Sequence, residues 1–188
     1  MDHFQAIKNS FLTIHSYFIP QMLSTEETLF RSRAIPEINS IAWIAWHILR
    51  TEDMFLNTVV YGEPQVFQSQ DWGSKLGVPF SQVGTGMSRE AADLVSKQVT
   101  IEGLSEYNKE VRNRSLQLVD RSVELDDDAF DSFENIDGRL KAADAFPDGV
   151  RQERASSYAK VPLASGITGI TMHGFMHIGQ YFSIAKPL

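Results

Sequence analysis

The chain contains no cysteine. Disulfides and thiolate metal sites are therefore excluded, and any thiol chemistry must draw its sulfur from another molecule. No run of 18 apolar residues is present, so no transmembrane helix is expected. Lysine and arginine form no cluster, and the formal net charge is −7. A nucleic-acid binder needs a positive footprint to neutralise phosphates, so DNA, RNA and anionic membrane surfaces are not expected partners. The opening Met1-Asp2-His3-Phe4 lacks a basic region followed by an apolar one. It reads as the start of a cytoplasmic protein rather than as a signal peptide. Internal repeats, low-complexity segments and the alternating pattern of strands are also missing.

What remains is a chain of 188 residues, 43% apolar and 22% charged, of a size for one domain spanning 1–188. Phe4, Ile7, Phe11, Ile14, Phe18 and Met22 recur at three- and four-residue steps, the period of one helical face, and predict a helix over 3–24 that Pro20 kinks or ends. Residues 25–38 read as a loop or short turn. A second helix is predicted from Asn39 to Val60, with Asn39 or Ser40 as its cap. Residues 61–87 carry Gly62, Pro64, Gly73, Gly77, Pro79, Gly84 and Gly86 and form a long connection, of the kind that is functional or holds short helices. Ser88 caps a short helix reaching Lys97. A third long helix follows from Thr100 to Val123, with Ile101, Leu104, Tyr107, Val111, Leu118 and Val123 inward and Glu102, Glu106 and Glu110 outward. The acidic stretch from Glu124 to Asp137 reads as a solvated connection, and a further short helix is expected near 139–146. The last helix begins near Ser165 and runs to Ile184. The fold class is therefore all-α, a four-helix bundle with long connections carrying short helices.

The residues able to carry chemistry are histidines. His173-Gly-Phe-Met-His177 places two imidazoles on one helical face, about 40° apart around the axis and about 6 Å along it, a spacing from which both reach one metal ion. His47 is the one polar side chain in Ile-Ala-Trp-Ile-Ala-Trp-His-Ile-Leu, residues 41–49, a stretch apolar on every side. A helix of that kind is buried, and a buried imidazole needs a hydrogen-bond partner or a metal. A shared site of His47, His173 and His177 accounts for all three. His3 and His15 read as structural or surface residues. Gln180 lies on the face of His173 and His177 and can hold a water or a ligand behind the metal; a helix-packing role suits it equally. Gly166, Gly169, Gly174 and Gly179 in the last helix mark either close helix approach or chance glycine content.

Other metal motifs do not fit. A carboxylate-bridged di-iron bundle needs Glu-x-x-His pairs, and none is present. The zinc-protease motif needs Glu after the first histidine, where this chain has Gly174. An EF-hand loop around Gly138 would begin at Phe133, which is no ligand. Three neutral imidazoles suit zinc, nickel, copper or iron and leave a position open for water or substrate. Only neutral imidazole binds a metal, so occupancy is expected to fall as pH drops through about 6.5.

Ser40-Ile-Ala-Trp-Ile-Ala-Trp-His47-Ile-Leu-Arg-Thr-Glu-Asp53 and His173-Gly-Phe-Met-His177-Ile-Gly-Gln180 resemble the two signature segments of the DinB-like (YfiT-like) metalloenzyme family. The likeness runs through essentially the whole chain in order and spacing, and Thr85-Gly-Met-Ser88 is similar to a segment of some members. The resemblance implies a four-helix bundle, often dimeric, with one nickel or zinc ion on a histidine of the second helix and two of the fourth. Those positions fall on His47, His173 and His177. It also implies activities such as thiol S-transfer and mycothiol-dependent isomerisation. The chain departs from the family at Ile178, where members often carry Arg or another polar residue. The expectation is a metal-dependent enzyme, cytoplasmic and homodimeric, that transfers a low-molecular-weight thiol to an electrophilic small molecule. The alternatives are a metal-dependent hydrolase and a non-catalytic, metal-stabilised bundle that binds a ligand or partner.

Overall fold

A computed structural model describes residues 3–122, 135–160 and 163–186. The fold is all-α, and no strand occurs among the described residues. The chain opens with α1 (His3–Thr13), a π-helical turn (Ile14–Phe18) and α2 (Ile19–Leu23) in unbroken succession. The wider turn ends at Phe18, two residues before Pro20, where the helical ladder loses a donor in any case. It brings both Ile14 and His15 into the interior. Residues 25–38 are not simply loop: α3 (Glu27–Arg31) forms there because the Glu26 carboxylate accepts from the backbone N–H groups of Thr28 and Leu29. Its Phe30 is fully buried.

The centre of the molecule is α4 (Ile41–Asp53), continued by a π-helical segment (Met54–Tyr61) that stops at Gly62 in the left-handed conformation. Ser40 caps α4 by accepting from Trp43 N–H at 3.1 Å. Every residue from Ser40 to Val60 is buried, which is why the stretch lacks a polar face. The long connection holds α5 (Val66–Ser69) and α6 (Trp72–Leu76), and Ser88 caps α7 (Arg89–Gln98). Then comes α8 (Ile101–Ser122), with Leu104, Tyr107, Val111, Leu118 and Val119 buried along one face. Val123 and most of the acidic stretch lie outside the described residues. After it come α9 (Ile136–Ala142), α10 (Asp148–Tyr158), which the sequence pattern had not suggested, and α11 (Leu163–Ala185).

The long helices pack as neighbours in a ring: α1 against α8 and α11, and α4 against α8 and α11. α3 and α7 cover the start of α4, and α9 and α10 pack on each other near its π-helical continuation. Two apolar clusters result. One surrounds Trp46, Leu49, Tyr107 and Ile178; the other surrounds Phe55, Leu118, Phe146 and Ile170. Among the described residues no helix is long and apolar enough to cross a membrane.

Candidate metal centre

α4 and α11 lie against each other where His47 faces His173 and His177. Gly174 lets α11 lie close to the first helical segment, since a Cβ there would stand 2.9 Å from Ile14 Cδ1; the nearest α4 atom, Ile48 Cγ2, would be 3.9 Å away. Gly169 and Gly179 have no such explanation: a Cβ at either would meet nothing within 4 Å. One ring nitrogen from each of the three histidines lies within 4.8 Å of the others. The ring centroids are 4.5–5.0 Å apart, with interplanar angles of 68–88°. The Nε2 atoms of His173 and His177 are 3.1 Å apart. Two nitrogens held by one tetrahedral zinc at about 2.0–2.1 Å stand roughly 3.3–3.4 Å from each other, so the α11 pair has the right separation.

The outward nitrogens explain the orientation. His47 Nδ1 donates to the Val83 carbonyl at 2.5 Å, with Thr51 Oγ1 at 3.3 Å. His177 Nδ1 donates to Gln180 Oε1 at 2.7 Å. Each bond puts the proton on Nδ1 and leaves the Nε2 lone pair for a cation, the arrangement that supports ligand histidines in metal sites. Gln180 thus contacts His177 directly. Trp43 stacks on the His47 ring at 4.4 Å.

Val83 and Gly84 come from the long connection, which the sequence offered only as a place where function could lie. Gly84 has φ +100°, and a Cβ there would stand 2.8 Å from Trp43, 2.9 Å from Trp46 and 3.1 Å from His47 Nδ1. Only glycine lets the loop lie close enough to offer its carbonyl to His47.

All three imidazoles are held neutral. Burial pushes the His47 pKa far down, aided by His173 and His177. Burial, with His177 and Arg154 nearby, takes His173 down to about 4. Burial also lowers His177, with the Gln180 hydrogen bond opposing. The window for metal binding therefore extends below the ordinary histidine range of about 6.5. The same shifts set an expected pH dependence for the metal-free protein. Below about 6.5 the unfolded chain takes up protons that these folded imidazoles refuse until lower pH, so stability should fall as pH drops from 6.5 towards 4. His15 acts in the opposite sense, because Glu52 and hydrogen bonds to Glu52 and Asn108 outweigh burial and raise its pKa. Its contribution is complete below about 6.5 and fades as pH rises through its folded value. Asp53, whose pKa is raised by burial, also opposes the triad in acid. Urea titrations of chelated protein at stepped pH measure the sum; three groups against two predict a net loss in acid, and a rise in stability there would contradict the burial of the triad.

His15 is a core residue, not a surface one. Its Nε2 meets Glu52 Oε1 at 2.8 Å and its Nδ1 meets Asn108 Oδ1 at 2.6 Å. Ser115 Oγ donates to the same Glu52 oxygen at 2.5 Å. A second buried network follows on α4. Asp53 accepts from Tyr107 Oη at 2.5 Å and from the N–H groups of Val66 and Phe67 at 2.8 and 2.9 Å. Arg50 donates to Gln65, Tyr107 and the Ser81 carbonyl, and its guanidinium lies over the Phe67 ring. Burial raises the Asp53 pKa, and Arg50 with these hydrogen bonds pulls it back only in part. The first network ties α4 to the first helical segment and α8, and the second ties it to the long connection.

Beside the triad, His173 lines a cavity of about 290 Å³ together with Thr51, Phe55, Arg154, Tyr158 and Ile170. On the other side His47 borders an open groove with Arg33, Thr85 and Met87.

A comparison with curated proteins finds no match. The family model of the DinB superfamily matches residues 21–180, a span from α2 to Gln180 that includes all three histidines. Members of that superfamily bind divalent metals. With most of its length matched, this chain belongs to the DinB superfamily.

Proposed function

We propose that the protein is a metal-dependent enzyme that transfers a low-molecular-weight thiol to an electrophilic small molecule, with one zinc or nickel ion on His47, His173 and His177. The observation that carries this reading is the convergence of three neutral imidazoles, two with their N–H groups committed outward, beside a cavity that His173 enters. A divalent ion with three imidazole ligands and an open position supplies the positive charge that holds a thiolate at neutral pH. The chain has no cysteine of its own, so the thiol arrives as a cosubstrate.

The cavity favours this reading over hydrolysis. Among the described residues that line it there is no carboxylate to take a proton from water. A thiol of ordinary acidity, drawn to a cation, needs less help. The test is metal analysis of protein purified without a histidine tag, followed by consumption of 1-chloro-2,4-dinitrobenzene with and without an added thiol. About one ion per chain is expected, with turnover that requires the thiol, stops on chelation and returns with zinc or nickel. A metal-free preparation, or ester hydrolysis that ignores thiol, would refute it.

We also propose that the protein is a homodimer. Met172, Phe175 and Met176 are exposed on α11, and Leu12 and Tyr17 are exposed on the first helical segment. Phe175 packs edge-on against Phe18, 6.2 Å between centroids, which joins α11 to that segment. Exposed apolar side chains on adjoining elements mark an association surface. Light scattering at micromolar concentration should give twice the chain mass, and Phe175→Glu should give the monomer; a monomeric wild type rejects the proposal.

A further inference from the structure

The cavity beside His173 holds one charged side chain, Arg154 of α10. Other arginines drawn into the interior have acceptors on their terminal nitrogens, Arg50 on Gln65, Tyr107 and Ser81 and Arg151 on Asp137 and Asp148, although their Nε atoms find no partner. Arg154 differs. Its Nε is likewise buried without a partner, and its other nitrogens too make no hydrogen bond or ion pair among the described residues. A guanidinium that lines a cavity with no acceptor on any nitrogen leaves its donors to whatever occupies that cavity. In a chain of net charge −7, the surroundings of Arg154 in the cavity are hydroxyls, glycines, apolar walls and one metal-site histidine.

We infer that Arg154 is the recognition residue for a carboxylate on the small-molecule substrate, bound in the cavity it shares with His173. The guanidinium presents a planar fork of donors that matches the two oxygens of a carboxylate. Ser157 and Ser165 offer hydroxyls on the same cavity wall, while Phe55, Tyr158 and Ile170 suit a carbon skeleton. At about 290 Å³ the space is at the small end for ligand sites, so the occupant is a compact organic acid. A single cation matches a singly charged group better than a phosphate dianion. Arg154 and His173 line the same cavity, so a substrate held by the guanidinium lies near the metal site.

The inference rests on the cavity as the substrate site of the proposed enzyme, and its test separates the two. Benzoate and its neutral isostere benzamide are titrated calorimetrically into zinc-loaded and chelated protein, wild type and Arg154→Met. Wild type should prefer benzoate by about tenfold or more, the worth of a charge-assisted bidentate pair, in both metal states. In Arg154→Met the preference should vanish. A preference that survives in Arg154→Met, or the absence of binding by either probe, overturns the inference. Chelated protein that keeps an Arg154-dependent preference supports it even if the histidines prove to hold no metal; metal-loaded protein without that preference removes it and leaves the metal reading intact. Should Arg154→Met fail to fold, the Arg154 Nε–H resonance of wild type decides. It should move with benzoate and not with benzamide, and indifference to benzoate overturns the inference.

Discussion

Replacing His173 with alanine should strip the bound ion from the protein, abolish thiol-dependent turnover and leave the helices in place. Loss of a supporting hydrogen bond behind a ligand typically weakens a metal site about 10–100-fold, and loss of a ligand should cost more. The helices should persist because the interior does not depend on the ion. Two apolar clusters, spanning Ile14 to Ile184 and Ile7 to Ile170, hold the long helices together, and a chain of this size needs no metal staple. His173 is only partly buried, and the close contact between α11 and the first helical segment is made by Gly174, which the substitution leaves alone. Metal analysis and circular dichroism on the same sample give the answer. His15→Ala is the control that should behave the other way, keeping its ion while losing stability, because it breaks the bonds to Glu52 and Asn108. If chelation of wild type collapses the helical signal at room temperature, the ion is structural and the enzymatic reading loses its support.

The second large effect is expected at Asp53. Asp53→Ala should lower unfolding stability by about 3–5 kcal/mol, the usual cost of removing one partner from a buried pair, and lower the melting temperature on the order of 10 °C. Both Asp53 and Arg50 are inaccessible to solvent, and their closest approach is 3.4 Å. The raised pKa of Asp53 shows that burying this carboxylate is itself costly. The loss comes instead from what the substitution strands. Arg50 would keep its charge with no carboxylate near it, Tyr107 Oη would lose its acceptor, and the N–H groups of Val66 and Phe67 at the start of α5 would be left bare. Asp120→Ala, which breaks a surface pair with Lys8, should change stability by less than about 1 kcal/mol. Denaturant melts of the two variants side by side decide; equal losses would mean that the network is not what holds the connection to α4.

The helical class could be read from spacing because long helices write their burial into the chain. Residues 41–49 have no polar side but His47, and they are buried on every side. The three histidines were legible for the same reason: two stand four apart on one helix, and the third interrupts an apolar run. The networks around them were not. Arg50, Glu52 and Asp53 follow the apolar run immediately, and the spacing assigned them no partners. Nothing local reveals that α4 and its π-helical continuation stay buried to Val60, or that Glu52 meets His15 and Asp53 meets Tyr107 from distant segments. His15 looked peripheral because a π-helical turn shifts its position around the helix, and hydrophobic spacing assumes a regular one. The Val83 carbonyl is backbone and has no signature at all. Arg154 lies on a short helix whose weak apolar pattern did not announce it.

The partners behind His47 and His177 are a peptide carbonyl and a side-chain amide. Neither group ionises in water. A carboxylate in either place would switch between a full negative charge and none as the solution changed, altering both the grip on the ring and the electron density passed through it. Here the orienting dipoles are the same in acid as in base. The scaffold that aims these two rings is therefore silent to pH, and any titration seen at the site belongs to the imidazoles or to what they bind.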